Sequence, residues 1–279
     1  MARKRSLLLP APAFLRCAGA ILCLAALLQG CVSAPLDIRQ RVDALLPADL
    51  ILLGEQHDAD DHQRLQRAVV LELAGRGQLA ALALEMADQG RSTVGLPSNA
   101  SEAQVRDALQ WKQSGWPWER YGPVVMAAVS QAVPVHGANL PRAAMRSAMA
   151  DTRLDAHLPP SRLAQQQEGI RTGHCALLPE SQIAPMTRIQ IARDAAMAQT
   201  LQSLRQPGKT AVLVAGGGHV RRDIGVPTHL PATLNTRVVL AVAGSSSAAD
   251  RGNVDRVWET PPLPPRDHCA ELQKQLKKG

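Results

Sequence analysis

The chain has 279 residues and a formal net charge of +7, and it is 46% hydrophobic but only 2% aromatic. Its first 30 residues hold Arg3, Lys4, Arg5 and Arg16 and no acidic residue, so without them the net charge is +3. No stripe of lysine and arginine with interleaved aromatic residues occurs, so composition and charge exclude a nucleic-acid-binding protein.

The N-terminal segment has the features of a bacterial lipoprotein signal peptide. Basic residues precede an apolar stretch that ends near Leu28 and is too short and interrupted for a membrane-spanning helix of roughly 20 residues. The sequence Leu28-Gln29-Gly30-Cys31 resembles a lipobox. It predicts cleavage after residue 30 and acylation of Cys31, with an ordinary signal peptide cut nearby as the alternative. Val32 after the cysteine favours anchoring in the outer membrane, facing the periplasm.

The rest of the chain is predicted to be a tether over residues 31–47 and one domain over residues 48–279. Short, nearly continuous apolar runs alternate with helical patterns, which favours a mainly parallel sheet covered on both faces. We therefore predict an α/β fold with a central sheet flanked by helices, and a Pro-rich tail from Ser245 that wraps the surface. The predicted strands are 50–54, 79–86, 133–137, 211–215 and 238–243, and the predicted helices are roughly 61–74, 101–111, 123–132, 142–149 and 182–204.

Ionisable side chains follow three of the predicted strands. The first strand leads into Glu55 and His57, the second ends with Glu85, and the fourth leads through three glycines to His219. Sites in parallel sheets collect beyond the carboxyl ends of the strands, so these residues are predicted to share one site. Solvated loops are the alternative. The tri-glycine lacks the pattern of a phosphate-binding loop, so a nucleotide site is a weak interpretation.

The helix predicted over residues 182–204 carries a charge on its apolar stripe. Arg193 falls at helical spacing from Met197 and Leu201, where core residues are expected. An unpaired buried guanidinium is costly, so we expect it to pair with Glu85 or Glu55, or to face an anionic ligand. A rim arginine that reaches water is the alternative.

Four of the five aromatic residues that follow the signal peptide lie in WKQSGWPWERY. A hydrophobic plug is the favoured interpretation for Trp111 and Trp116. For Tyr121 two interpretations stay open: a residue of this plug, or a phenol that binds haem iron beside a flat apolar wall near Trp118.

The other histidines and the two remaining cysteines give weaker signals. His62 lies in the predicted first turn of a helix, although it keeps a claim as a ligand, and His268 is expected to be a surface or structural residue. Cys175 and Cys269 form an isolated pair in an oxidising compartment, which predicts a structural disulfide rather than a metal site.

Several motifs in order along the chain resemble those of the ChaN-type haem-binding lipoproteins of the Tiki superfamily. They are LLGEQHD, LEM, WPWERY, the Gln190-x-x-Arg193-Asp194-x-x-Met197 helix, AGGGHV and VDRVWETP, within about residues 48–270. The resemblance implies an α/β fold, haem or iron acquisition at the bacterial envelope, and a dimer with haem at its interface. It also makes an outer-membrane haem receptor a candidate partner.

The wider superfamily implies a second function. In Tiki-type metalloproteases and erythromycin-esterase-like enzymes, the residues that correspond to His57, Glu85 and His219 form the catalytic or metal site. Neutral imidazoles and a carboxylate suit a divalent metal or the activation of water. Glu55 and Arg193 complete this predicted catalytic set.

Two hypotheses follow. The first is a lipid-anchored haem carrier or store, in which haem lies near Trp118. The second is a metal-dependent hydrolase that uses His57, Glu85 and His219. A purely structural lipoprotein is disfavoured, because core burial alone does not explain Glu85 and Arg193.

For haem, the predicted first-choice axial ligand is Tyr121, and the alternatives are His62 and His219. The predicted partners of the propionates are Arg193 and Arg142.

Overall fold

Six parallel strands form one sheet in the computed structural model of the chain, which describes residues 37–276. The strand order is β3-β2-β4-β1-β5-β6, so β1 and β4 lie at the centre. This confirms the predicted α/β fold with a parallel central sheet. The predicted signal peptide and Cys31 lie outside the described residues. The strands are β1 (Leu50–Glu55), β2 (Leu79–Asp88), β3 (Val135–Asn139), β4 (Thr210–Gly216), β5 (Thr236–Ala243) and β6 (Arg256–Thr260).

Helices cover both faces of the sheet. The longest is the 24-residue α7, and no helix within residues 37–276 is long and apolar enough to cross a membrane. Two short 3-10 helices span Thr152–Ala156 and Val226–His229. The α-helices are α1 (Ile38–Asp43), α2 (Asp60–Gly75), α3 (Glu102–Ala108), α4 (Trp118–Ser130), α5 (Arg142–Ala150), α6 (Pro160–Gly173), α7 (Glu180–Ser203), α8 (Gly217–Val220), α9 (Ala248–Arg251) and α10 (His268–Leu276).

The core has two layers because successive side chains of a strand point to opposite faces of the sheet. In β1, Ile51 and Leu53 pack with residues of α2 and α4, whereas Leu50 and Leu52 pack against α7. All six residues of β1 are buried, as expected for a central parallel strand. This fixes the carboxyl end of β1 between two helical layers.

Regular structure begins before the predicted start of the domain at residue 48 and includes a strand in the predicted surface tail. Helix α1 lies in the predicted tether, yet Val42 and Leu45 are buried in the core, so the folded unit begins at Ile38. The tail was predicted to wrap the surface from Ser245, but it first adds β6 to the sheet edge, with Trp258 buried. Apolar residues at 254, 257 and 258 are the signal that the prediction overlooked.

The predicted disulfide is confirmed: Cys175 and Cys269 are bonded with an S–S distance of 2.04 Å across 94 residues of sequence. Cys175 lies in the turn after α6, and Cys269 lies in the first turn of α10. The bond therefore ties the C-terminal helix to the α6–α7 connection.

Candidate functional site

The carboxyl ends of three adjacent central strands bring together the ionisable residues singled out in the sequence. Strand β4 lies between β2 and β1, so Glu85, His219 and His57 come from neighbouring strand ends. Nε2 of His57 lies 3.9 Å from Glu85 Oε2, and Nε2 of His219 lies 3.5 Å from Glu85 Oε1. These side chains lie close together at one edge of the sheet, as predicted.

Glu55 is buried at the end of β1 and accepts four hydrogen bonds. Its Oε1 accepts from the hydroxyl of Tyr121 at 2.7 Å and lies 2.8 Å from His57 Nδ1. Its Oε2 accepts from the side-chain amides of Gln63 and Gln66 on α2, each at 2.6 Å. A buried carboxylate with four partners is held in place. Glu55 therefore acts here as the group that orients His57.

His57 is the accessible imidazole of the site, with 41% of its side chain exposed. Its ring packs edge to face on Trp116, with 4.9 Å between ring centroids. Partial burial lowers its pKa, but the hydrogen bond to Glu55 and the charge of Glu85 outweigh this and raise the pKa above its usual value. A Cβ on Gly216 would lie 2.8 Å from His57 Nε2, so this glycine leaves the space beside that nitrogen open.

Glu85 is held as a carboxylate although it is buried. Burial raises its pKa, but the neighbouring His219 and His57 and the backbone N–H of Gly216 lower it to about 2. The Gly216 N–H donates to Glu85 Oε2 at 2.7 Å. A negative charge therefore lies between the two imidazoles.

His219 forms a second pair with a carboxylate. Its Nδ1 lies 2.6 Å from Asp194 Oδ1 on α7. Burial lowers the pKa of His219, but the carboxylates of Glu85 and Asp194 on either side raise it. Burial in turn raises the pKa of Asp194. Each imidazole thus has its Nδ1 fixed by a carboxylate and its Nε2 directed to Glu85.

Two cavities meet at His57. The aromatic cavity, about 460 Å³, lies on the side of the WPWERY segment, and the glutamine cavity, about 410 Å³, lies on the side of the tri-glycine and α7. Both volumes are in the range of small-molecule sites. The aromatic cavity is lined by His57, Trp116, Arg120, Tyr121, Arg266 and His268, among others. The glutamine cavity is lined by His57, Gln165, Gln166, Gln190, Asp194 and His219, among others.

The predicted haem ligands differ in how accessible they are. His62 is completely buried, its Nδ1 accepts from the Gln56 N–H and its Nε2 contacts the Thr260 hydroxyl, so the structure argues against it as a ligand. Tyr121 borders the aromatic cavity but is 1% exposed. Burial and the Glu55 carboxylate raise the pKa of Tyr121 far above its usual value, so in the haem-free protein Tyr121 is a neutral phenol that donates to Glu55.

Trp118, near which haem was predicted to lie, borders neither of the two cavities that meet at His57. Trp118 is buried in the core and its Nε1 donates to Glu102, so haem cannot lie on it. Trp116, which was assigned to the hydrophobic plug, packs against the core as predicted and also lines the aromatic cavity. The reason is that α4 begins at Trp118, which turns this side chain inward, while Trp116 stays in the preceding loop.

Arg193 does not form the predicted pairs. Among residues 37–276, no carboxylate lies within ion-pair distance of its guanidinium, and its buried Nε has no hydrogen-bond partner. Glu55 and Glu85 are occupied by the contacts described above. The neighbouring Asp194 reaches the site from α7, and Gln190 of the same helix lines the glutamine cavity. Arg142 is exposed at the start of α5 and lines neither cavity.

His57, Glu85 and His219, the predicted metal ligands, lie close together. Their arrangement is not that of a metal site. In the part of the chain that the structure describes, no group of three His, Cys, Asp or Glu residues could hold a metal ion.

The sequence analysis missed five residues of the site. Asp194 falls three residues before the core residue Met197, so helical spacing could have found it. Arg120 precedes Tyr121 on α4 and donates to the His57 carbonyl at 2.9 Å. Arg266 and His268 come from the tail, where no local pattern indicates a site. The missed residues are Asp194, Trp116, Arg120, Arg266 and His268.

A family model and the solved structure of a ChaN protein agree with this architecture. The family model described as "Haem-binding uptake, Tiki superfamily, ChaN" matches residues 41–230. The structure of ChaN of Campylobacter jejuni, solved with cofacially bound haem, aligns with a TM-score of 0.64 and 24% identity over 80% of this chain and 91% of that chain. The type III effector HopBA1 aligns with a TM-score of 0.45 and 15% identity over 81% of this chain and 94% of that chain. No curated protein matches the sequence. Because the family model covers well over half of the chain, this protein belongs to the ChaN family of haem-binding uptake proteins in the Tiki superfamily.

Proposed function

We propose that the chain is a lipid-anchored envelope protein that binds haem in the aromatic cavity and takes part in haem or iron uptake or storage. The observation that carries the proposal is the pairing of Trp116 with the accessible imidazole of His57 in this cavity. An indole offers a flat apolar surface to a planar ligand, and an imidazole is a common iron ligand in haem proteins.

The side chains of the cavity fit a haem. Imidazole and phenol groups line it, and both types ligate haem iron. In His57, Glu55 holds Nδ1, which is the arrangement that orients a metal-bound histidine and raises its basicity. Nε2, the nitrogen left for iron, has open space beside it at Gly216, where the two cavities meet at His57. We therefore prefer His57 as the axial ligand, with Tyr121 supporting Glu55 rather than binding iron.

A homodimer is part of the proposal. ChaN of Campylobacter jejuni binds haem cofacially. The aromatic cavity of this chain is bordered by exposed residues such as Gly115 and Arg266. A second copy could therefore cover the outer face of a haem bound there. Acylation of Cys31, attachment to the outer membrane and delivery from an outer-membrane haem receptor complete the proposed function.

A haemin titration tests the proposal. The protein without residues 1–36 is titrated with haemin, and a saturable Soret band at defined stoichiometry is expected. The substitution His57→Ala should weaken binding and shift the band, whereas Tyr121→Phe should leave the band position unchanged. His136→Gln is the matched control, because His136 is half-buried like His57 but lines neither cavity. No saturable band in the unsubstituted protein would refute haem binding.

A hydrolase is the second candidate, and the arrangement around Glu85 favours it. Two imidazoles, each with Nδ1 on a buried carboxylate, direct Nε2 to one site beside the glutamine cavity. Such a histidine can act as a general acid or base in proton transfer with a bound substrate or water. Hydrolysis of ester or amide substrates by the haem-free protein, lost in His219→Ala, would support this function. Bound divalent metal should be measured in the same sample.

A further inference from the structure

The segment after β6, which we call the strap (residues 261–269), connects two anchors, the end of β6 and the disulfide at the α6–α7 connection. At one end, Thr260 contacts His62 at 3.1 Å and its carbonyl accepts from the Gly244 N–H at 2.9 Å. At the other end, Cys269 is bonded to Cys175. The strap therefore leaves the sheet at the carboxyl ends of its strands and ends at the α6–α7 connection.

Between these anchors the strap adds side chains to the aromatic cavity. Arg266 and His268 line the cavity together with His57 and Trp116. Nη1 of Arg266 lies 3.7 Å from a carboxylate oxygen of Asp58, the residue that follows His57. The matched family region ends at residue 230, so these groups come from a part of the chain that the family model does not cover.

Arg266 is suited to bind a carboxylate. Its side chain is 61% exposed. Its Nε lies 2.8 Å from both carboxylate oxygens of Glu271, which lies on α10 directly after the strap, and the two residues form an ion pair. A guanidinium binds carboxylates through parallel hydrogen bonds, which makes it selective for this group. Glu271 thus uses the guanidinium donors of Arg266 that a carboxylate of a ligand would need.

The strap is held mainly by its anchors. No residue from 261 to 269 is buried, and four of the nine are prolines, which restrict the backbone without packing it into the core. Without the disulfide, the Arg266 end of the strap would have to be ordered when a ligand binds, and such ordering reduces affinity.

We infer that the strap is a disulfide-held part of the ligand site, in which Arg266 exchanges Glu271 for a carboxylate of the bound ligand. The inference rests on the proposed function, since haem supplies that carboxylate through its propionates. It predicts that affinity depends on Arg266 and on the Cys175–Cys269 bond, which lie far in sequence from the strand ends that carry His57 and Glu85.

The test compares haemin with haemin dimethyl ester, in which both carboxylates are blocked. Arg266→Gln should weaken haemin binding by roughly fivefold to tenfold and leave binding of the ester unchanged. Glu271→Gln should strengthen haemin binding. Lys274→Gln is the matched control, because it removes one positive charge from α10 at a residue that does not line the cavity. Equal losses in Arg266→Gln for haemin and its ester would overturn the role of Arg266.

The disulfide is tested with a Cys175→Ser, Cys269→Ser double variant, so that no reductant reaches the haem iron. Weaker haemin binding with an unchanged circular dichroism spectrum is the expected result, and unchanged affinity would overturn the role of the bond. If the double variant does not fold, the Arg266 and Glu271 variants decide the inference. Failure of the unsubstituted protein to bind haemin would instead refute the proposed function, so the two failures are distinct.

Discussion

The hydroxyl of Thr260 lies 3.1 Å from Nε2 of His62, which is 198 residues away in sequence. The contact joins the last strand of the sheet to the first turn of α2. Because the Gln56 N–H donates to the other ring nitrogen, His62 also fixes the backbone one residue before His57. A histidine that resembled a ligand in the sequence is therefore a buried connection between three parts of the fold.

Replacing His62 should affect stability rather than binding. His62→Ala removes a completely buried ring and leaves the Gln56 N–H without its partner, which should lower the free energy of unfolding by about 2–4 kcal/mol. Urea unfolding measures this loss. The haemin affinity of the folded protein should match that of the unsubstituted chain, and a lost Soret band in folded His62→Ala would contradict this.

Gly216 should be needed for binding rather than for folding. In Gly216→Ala the new Cβ would meet the end of the His57 side chain, which can move, so the melting temperature should change little. The displaced imidazole should weaken haemin binding by about tenfold, or about 1.4 kcal/mol. Gly218→Ala is the control, because its Cβ would meet nothing within 4 Å. The prediction is wrong if both variants bind haemin equally well.

Sequence patterns were enough to predict the site residues that lie at the ends of the strands. Apolar runs that end in Glu55, Glu85 and His219 predicted parallel strands and a shared edge, because strand ends in such a sheet have fixed relative positions. Arg193 and Asp194 show the limit of this reasoning. They are adjacent on α7 and point about 100° apart around its axis, and the apolar spacing indicated the face of Arg193 although Asp194 is the one that contacts His219.

Loops and the tail could not be predicted in the same way. Trp116 and Trp118 are two residues apart, and the side of the chain on which each lies depends on where α4 begins. The residues of the strap reach the aromatic cavity only because the sheet gains β6 and the disulfide closes a long loop. Neither contact has a local signal, since both depend on partners far away in sequence.

Acid should destabilise the haem-free protein partly through Glu85. Its pKa is about 2 in the folded protein against a usual value of 4.5. A lowered carboxylate pKa stabilises the fold above pH 4.5, and this stabilisation, on the order of 3 kcal/mol, is lost as the pH falls toward 2.

The variant Glu85→Gln has no carboxylate to protonate at this position. Its free energy of unfolding, measured with urea at pH 5, 4 and 3, should therefore fall less steeply than that of the unsubstituted protein. Glu168→Gln is the control, since Glu168 forms only an exposed ion pair with Arg171, and such pairs contribute little. Equal slopes for Glu85→Gln and the unsubstituted protein would contradict the lowered pKa.

Replacing the two tryptophans of the WPWERY segment should affect different properties, the stability of the fold in one case and haemin binding in the other. Trp118→Ala removes a core side chain, and the cavity it leaves should cost about 3–5 kcal/mol in the free energy of unfolding. Trp116→Ala removes a half-buried ring from the aromatic cavity, so it should cost less stability but weaken haemin binding. Urea unfolding and haemin titration of both variants separate the two roles. If Trp118→Ala loses haemin binding while folded and Trp116→Ala keeps it, haem lies on the core side of the segment and the assignment of the aromatic cavity is wrong.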